Sequence, residues 1–557
     1  MRLLEKMCFV VLASGLALGQ ATPSNNGAAG TGSVADDLKA LREAISEQQK
    51  QISQQQQQIQ NLQQQLQDKT SGTPRVADAA LHTSAAPASA TTAVVQETEK
   101  PKESPLSFRI GGTEFTPGGF VDFENVFRTT NTASNIATNF GAIPYSNTVQ
   151  GHLTEFRSTG QYSRYNLKVT GKYGANNVTG YIEGDFNGND AANVFVSSNP
   201  HTNRLRLYWM DLKRGNWEFL LGQTWGLQTP NRVGLSPAPA DVFVPIGEDA
   251  QTHVGLPYTR ASEFRFVRHF SDTFQWGFAV QNPDQFVTGA VNFPAAFNAQ
   301  LAPQFDGAGG VNATGVADVF PDLITKLAWD ADKNGKHFHF EAGGLLTSAK
   351  ITVIPTVAGA TFGHNSKVGG GFFTAVNFEL AKGFRIVANG IYGDGIGRYM
   401  IGFGPQAVVA PVNASGSVCT IVGTAAVGCD AQLSLVHSGG GILGSEIQAG
   451  KKTQFGFYYG GFYFQRNSFP DITSAAVVKP IIGFGGLNSA NSASANRAIQ
   501  EGSFDWIQTF WRNPQYGAVQ LVTQTSYVTR APWFVAAGAP KNAHLMMAFV
   551  SLKYILP

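Results

Sequence analysis

The chain has 557 residues, room for several average domains or one large one. Charged residues make up only 14%, against about 25% in an average soluble protein, while Gly reaches 62 residues and aromatics 11%. A net charge of +2 excludes a field that steers the chain toward nucleic acid, and a mean hydropathy of −0.09 excludes a helical membrane protein. The composition suits a β-protein in which apolar residues alternate with small and polar ones.

Three segments precede the main body. Arg2 and Lys6 lead into an apolar run at 7–19 that ends on the small residues Ala17 and Gly19. That is the pattern of an export signal, expected over 1–21, and the run is too short to span a bilayer. Next, Leu38, Ile45, Ile52, Ile59 and Leu66 fall seven apart, as do Leu41, Gln48, Gln55 and Leu62 three residues later. These are the a and d positions of an α-helical coiled coil over 34–68, so the chain is expected to be a homo-oligomer; the heptads leave dimer and trimer open. The stretch 70–105, rich in Ala, Thr, Ser and Pro and without periodicity, reads as a disordered linker.

From 106 to 557 the pattern is strand and loop. Val178, Gly180, Ile182, Gly184 and Phe186 alternate with polar residues, as do Phe274, Trp276, Phe278 and Val280. Period two sustained over about ten residues is the length of a tilted membrane strand. Short turns are expected at 174–177, 214–216, 271–273, 330–336, 381–383, 451–452 and 513–516. Long connections are expected at 129–151, 188–203, 226–260, 283–320, 348–367, 395–440, 466–501 and 529–543. The alternation of long and short predicts an all-β transmembrane barrel of about 16 antiparallel strands, in contact with outer-membrane lipid. Both chain ends then lie on the short-turn side, which puts the coiled coil in the periplasm. One strand, Glu155 to Tyr173, must be unusually long, with Gly160 as a bulge. Cys419 and Cys429, ten apart in one long loop, are expected to form a disulfide, because an exported chain meets an oxidising compartment.

No catalytic motif is present: there is no nucleophile elbow, phosphate loop, zinc helix or Cys-x-x-Cys pair. An enzyme is not expected, nor a cofactor or metal. The glycine runs 369–371 and 439–441 read as barrel packing, and His337 and His339 as polar lumen residues. With apolar residues facing lipid, the lumen receives the acidic Asp122, Glu124, Glu183, Asp185 and Glu263 and the basic Lys168, Lys172, Arg204, Arg206, Arg265, Lys326 and Arg385. Arg204, Arg206, Arg260 and Arg265 are the densest basic group, and guanidinium suits carboxylate recognition. The acidic positions either pair with them across strands or leave a positive patch. The loop 226–260 is expected to fold into the lumen.

Glu183-Gly184-Asp185-Phe186, Leu205-Arg206-Leu207 and Gly222-Gln223-Thr224-Trp225 before a long loop resemble the wall motifs of the DcaP-like outer-membrane porins. A heptad segment ahead of a barrel is also similar to that family. The resemblance is most specific from Tyr181 to Trp225. It implies sixteen-stranded barrels assembled as trimers, a basic constriction, and passive uptake of small hydrophilic, anionic solutes. The set Met546, Ala548, Val550, Leu552 and Tyr554 resembles a barrel assembly signal displaced from the last residue by three. The competing expectation is a structural anchor or spacer, in which the barrel is a tether and the coiled coil the working part.

Overall fold

The computed structural model describes residues 104–188, 201–308, 318–489 and 492–557. The expected signal peptide, the coiled coil and the linker up to residue 103 lie outside them. Sixteen antiparallel staves close into one barrel. The first half comprises β1 Thr113–Arg128, β2 in two pieces, Glu155–Thr159 and Arg164–Tyr173, β3 Asn176–Asp185, β4 Arg204–Arg214, β5 Trp217–Trp225, β6 Arg260–His269, β7 Phe274–Gln281 and β8 Asp322–Lys333. The second half comprises β9 Lys336–Val353, β10 Gly363–Ala381, β11 Phe384–Asp394, β12 His437–Ala449, β13 Thr453–Phe464, β14 Asn496–Asn513, β15 Gly517–Pro532 and β16 Ala543–Ile555.

β16 returns to β1, with Phe120 opposite Ile555 and Arg128 opposite Met547. A sheet closed on itself leaves no unpaired edge, the condition for strands in hydrocarbon. At the foot of this seam the short strand Phe108–Ile110 flanks β1, and the Ser104 hydroxyl donates to the Pro557 carbonyl at 3.1 Å. Period two sets the two faces. Val121, Phe123 and Phe127 on β1, Leu205, Tyr208 and Met210 on β4, and Phe219 and Leu221 on β5 are exposed on the outside. The intervening Asp122, Glu124 and Arg128 are buried on the inside. No helix among the described residues is long and apolar enough to cross a membrane.

The expected seven short turns and eight long connections occupy opposite ends of the barrel. The turn at Asn334 and Gly335 takes positive φ at both residues, 55° and 71°, which matches the twist of the strands it joins. Two expectations change in detail. The long strand Glu155 to Tyr173 is broken at 160–163, yet both pieces pair with β1: Glu155–Thr159 against 124–128 and the rest against 113–120. The break sets Tyr162 beside Phe120, and the Ser163 hydroxyl accepts from the Asp122 amide at 2.9 Å, so the interrupted ladder stays satisfied. The count therefore remains sixteen. Also, the connection expected at 348–367 is mostly strand. β9 and β10 continue as a paired hairpin, with Ser348 opposite Val368 and Ile351 opposite Asn365, because Ala349, Ile351 and Val353 are buried under neighbouring loops.

The long loops pack into a cap. Phe140 and Ile143, then Val287, Phe297 and Phe305, then Tyr399, Met400, Val408 and Leu433, and finally Phe484 share one buried apolar cluster with inward side chains of the staves. Each such aromatic or aliphatic side chain contributes about 1.5–3 kcal/mol when fully buried. The sixth loop carries its own ladder, Ala407–Asn413 against Cys429–Leu435, and the Cys419–Cys429 disulfide.

Candidate functional site

The chain leaving β5 at Trp225 turns into the barrel, and its residues 226–259 run along the inner wall. Their backbone is irregular and carries Pro230, Pro237, Pro239, Pro245 and Pro257, so its polar groups need partners from the wall. The inward side chains of the staves supply them. Lys326 on β8 donates to the Thr229 carbonyl at 2.9 Å, and Glu341 on β9 accepts from the Asn231 amide at 3.2 Å. Tyr458 on β13 bonds the Ile246 amide at 3.2 Å, and Glu501 on β14 bonds that of Val254 at 2.8 Å. Arg232 of the loop forms a two-point contact with Glu446 on β12, at 2.8 and 2.9 Å. Arg265, paired with Glu263, donates to the Trp225 and Leu235 carbonyls at 2.6 and 3.2 Å.

Glycines let the loop lie flush against β12 and β13. Gly255 has φ +99°, and a Cβ there would sit 2.2 Å from the Gly441 carbonyl; a Cβ on Gly460 would sit 2.0 Å from that of Val254. The expected packing role of the 439–441 run thus acquires a partner, the inward loop.

A basic pole lies on β2, β3 and β4. Glu183 and Asp185 project inward from β3. A bulge on β4 sets Arg206 and Leu207 both inward, after which Trp209 and Asp211 take the lumen face. Arg206 contacts Glu183 at 2.8 Å and Asp185 at 2.9 Å, Arg204 contacts Asp185 at 2.7 Å, and Arg164 lies 3.7 Å from Glu183. Arg260 packs over the Trp225 and Tyr258 rings at 5.3 and 5.8 Å. The wall motif has a local job here: the Gln223 amide donates to the Arg206 carbonyl at 2.7 Å, beside Gly222 with φ +132° and the buried Thr224.

An acidic pole lies across an aromatic pair from it. Asp122 and Glu124 of β1 face Glu248 and Asp249 of the loop, all four buried, with the Lys553 ammonium of β16 2.5 Å from Glu248. The Phe120 and Tyr162 rings carry Arg164 on the basic side at 5.3 and 5.1 Å. They carry Lys553 on the acidic side at 4.8 Å from each ring.

The residues expected to line the pore therefore divide. Arg204, Arg206 and Arg260 come together, with Glu183 and Asp185. Arg265, Lys326 and Arg385 do not join them: Arg265 and Lys326 hold the loop, and Arg385 lies 3.6 Å from Glu446 beside Arg232. Lys168 and Lys172 are exposed toward the short-turn end, where Lys168 lines a cavity of about 460 Å³ with Tyr181, Trp209 and Asp211. His339 is buried between Asp330 and Glu341, at 2.8 and 3.1 Å. Sequence reasoning missed Arg164, Arg232, Glu248, Asp249, Lys553 and Arg398. A charge at an inward position of the last strand was a usable signal for Lys553. A second cavity, about 730 Å³, opens at the long-loop end among Arg260, Arg398, Asp284, Asp306 and Asp318.

No protein-family model matches the sequence, and no curated protein matches it. Among solved structures, the chain is similar to the outer membrane channel DcaP of Acinetobacter baumannii, with TM-score 0.51 and 16% identity over 80% of this chain and 98% of that one. The anion-selective porin of Comamonas acidovorans superposes with TM-score 0.42 and 9% identity, over 80% of this chain and 100% of that one. OmpT of Vibrio cholerae in its trimer form gives 0.39 and 9%, over 80% and 100%. At these identities the likeness is one of fold, and for the first of them it agrees with the resemblance read between Tyr181 and Trp225.

Proposed function

We propose that the protein is an outer-membrane porin through which small hydrophilic solutes diffuse passively, with a preference for anions, and that it works as a homotrimer with its N-terminal coiled coil in the periplasm. The inward loop carries this reading. A barrel that serves only as an anchor has no need of a segment that folds in along its wall and narrows the lumen beside a group of arginines. The anion preference rests on local charge: Arg164, Arg204, Arg206 and Arg260 are four guanidinium groups against the two carboxylates of Glu183 and Asp185. Asp122, Glu124, Glu248 and Asp249 are each at most 3% exposed between wall and loop, whereas Arg204 and Arg260 are partly open, so the arginines set the charge that a passing solute meets. The trimer rests on the heptads and on the family resemblance.

Single-channel recording in planar bilayers under a salt gradient tests the reading. Discrete conductance steps with an anion-directed reversal potential are expected. Protein that inserts but conducts nothing would instead favour the anchor, with the coiled coil as the working part.

A further inference from the structure

We infer that Asp122, Glu124 and Glu248 form a binding site for a hard divalent cation, calcium by preference, that fastens the inward loop to the barrel wall. Asp122 and Glu124 are two apart on β1 and so project to the same side. Glu248 comes from the loop, where Gln524 accepts from the Glu248 and Asp249 amides at 2.5 and 2.9 Å and fixes the approach. One oxygen from each of the three carboxylates falls within 4.8 Å of the other two. Three carboxylate oxygens this close together can coordinate one cation in common.

Two further observations point to a ligand. Glu124 is wholly buried, and no donor among the described residues reaches either of its oxygens. Asp122 takes the Ser551 hydroxyl on one oxygen and leaves the other without a donor. The charges also do not balance. Lys553, held by the Phe120 and Tyr162 rings, lies 2.5 Å from Glu248 and 3.7 Å from Asp122 and offsets a single carboxylate. Two negative charges remain in a site shut off from water, the deficit that a divalent cation fills. Buried carboxylates in such surroundings bind a metal or take up protons. Oxygen-only ligands from a rigid strand and an irregular loop suit the tolerant coordination of calcium.

The test is calorimetric titration of calcium chloride into the full chain, folded in detergent and first stripped with chelator. One ion per chain is expected. Glu124→Gln with Glu248→Gln should weaken binding by about 100-fold or more, since changing only the groups that hold a metal's ligands already costs about 10–100-fold. Lys553→Gln, which removes the competing ammonium, should tighten it. Heat-modifiable gel mobility reports whether each variant keeps its barrel. Wild-type protein that binds no calcium, or a folded double variant that binds it unchanged, overturns the site and leaves proton uptake as the explanation. If the double variant does not fold, Lys553→Gln decides: tighter binding supports the site, and unchanged or lost binding overturns it.

Discussion

Arg204 and Arg206 share two buried carboxylates, so replacing them does more than remove positive charge. With both as Ala, Glu183 and Asp185 face only Arg164 and the more distant Arg260, and the reversal potential should move toward cations. Stripping partners from buried carboxylates also costs about 3–5 kcal/mol, which should show as a lower unfolding temperature in detergent. The reciprocal pair, Glu183→Gln with Asp185→Asn, should raise anion selectivity; an unchanged reversal potential in both would remove this pole from the selective region. A pH effect is expected at the outer mouth. Burial lifts the carboxyl of Asp284 to about 6 and that of Asp318 to about 7, in the cavity shared with Arg260, Arg398 and Asp306. Acidification from pH 8 to pH 5 protonates both and leaves the arginines less opposed, so anion selectivity should rise as pH falls. Asp284→Asn with Asp318→Asn should flatten that dependence in the same recording.

At the scale of elements, the loop and the wall were written into the sequence in different ways. Period two placed Asp122, Glu124, Glu183, Asp185 and Lys326 on the inner face, since a strand has only two faces to choose from. The order of turns and loops followed from the same alternation. Loop residues have no period, so Arg232, Glu248 and Asp249 carried no sign of where they would land. Arg164 was missed because a bulge at Gly160 leaves open which residues beyond it face inward, and only the pairing of both pieces with β1 settles it. The bulge at Arg206 was invisible because nothing in Leu205-Arg206-Leu207 marks two successive residues as inward.

The close approach at Gly460 gives a direct handle on the loop. Gly460→Ala sets a methyl against the Val254 carbonyl, and overpacking of this kind costs about 1–3 kcal/mol. The loop should lift from β13, seen as altered conductance and noisier open levels. Conductance equal to wild type would mean that the loop absorbs the methyl without moving. The disulfide acts elsewhere. Closing a loop of this length contributes about 2–3 kcal/mol, and it does so within the cap. Cys419→Ser with Cys429→Ser should expose the sixth loop to protease while heat-modifiable mobility stays intact. Two free thiols in unreduced, denatured mature protein would contradict the bond.

At the scale of the molecule, barrel and assembly are separable. Backbone pairing is complete within the sixteen staves, so deleting 34–68 should leave a folded barrel while lowering the native mass from three chains toward one. A full-length protein of monomeric mass in mild detergent would rule out the trimer. The seam between β1 and β16 has a mechanical consequence as well. The described chain enters at Ser104 beside Pro557, runs through Phe108–Ile110 and turns at 111–112 into β1, which climbs the wall along β2 and, from Phe120, along β16. A pull on the chain at Ser104, directed away from the barrel, first peels Phe108–Ile110 from β1 and is then aligned with β1. From there it loads both flanking ladders in shear, where many bonds must yield together. Force spectroscopy with a handle at Ser104 should therefore record one small step followed by a single high rupture.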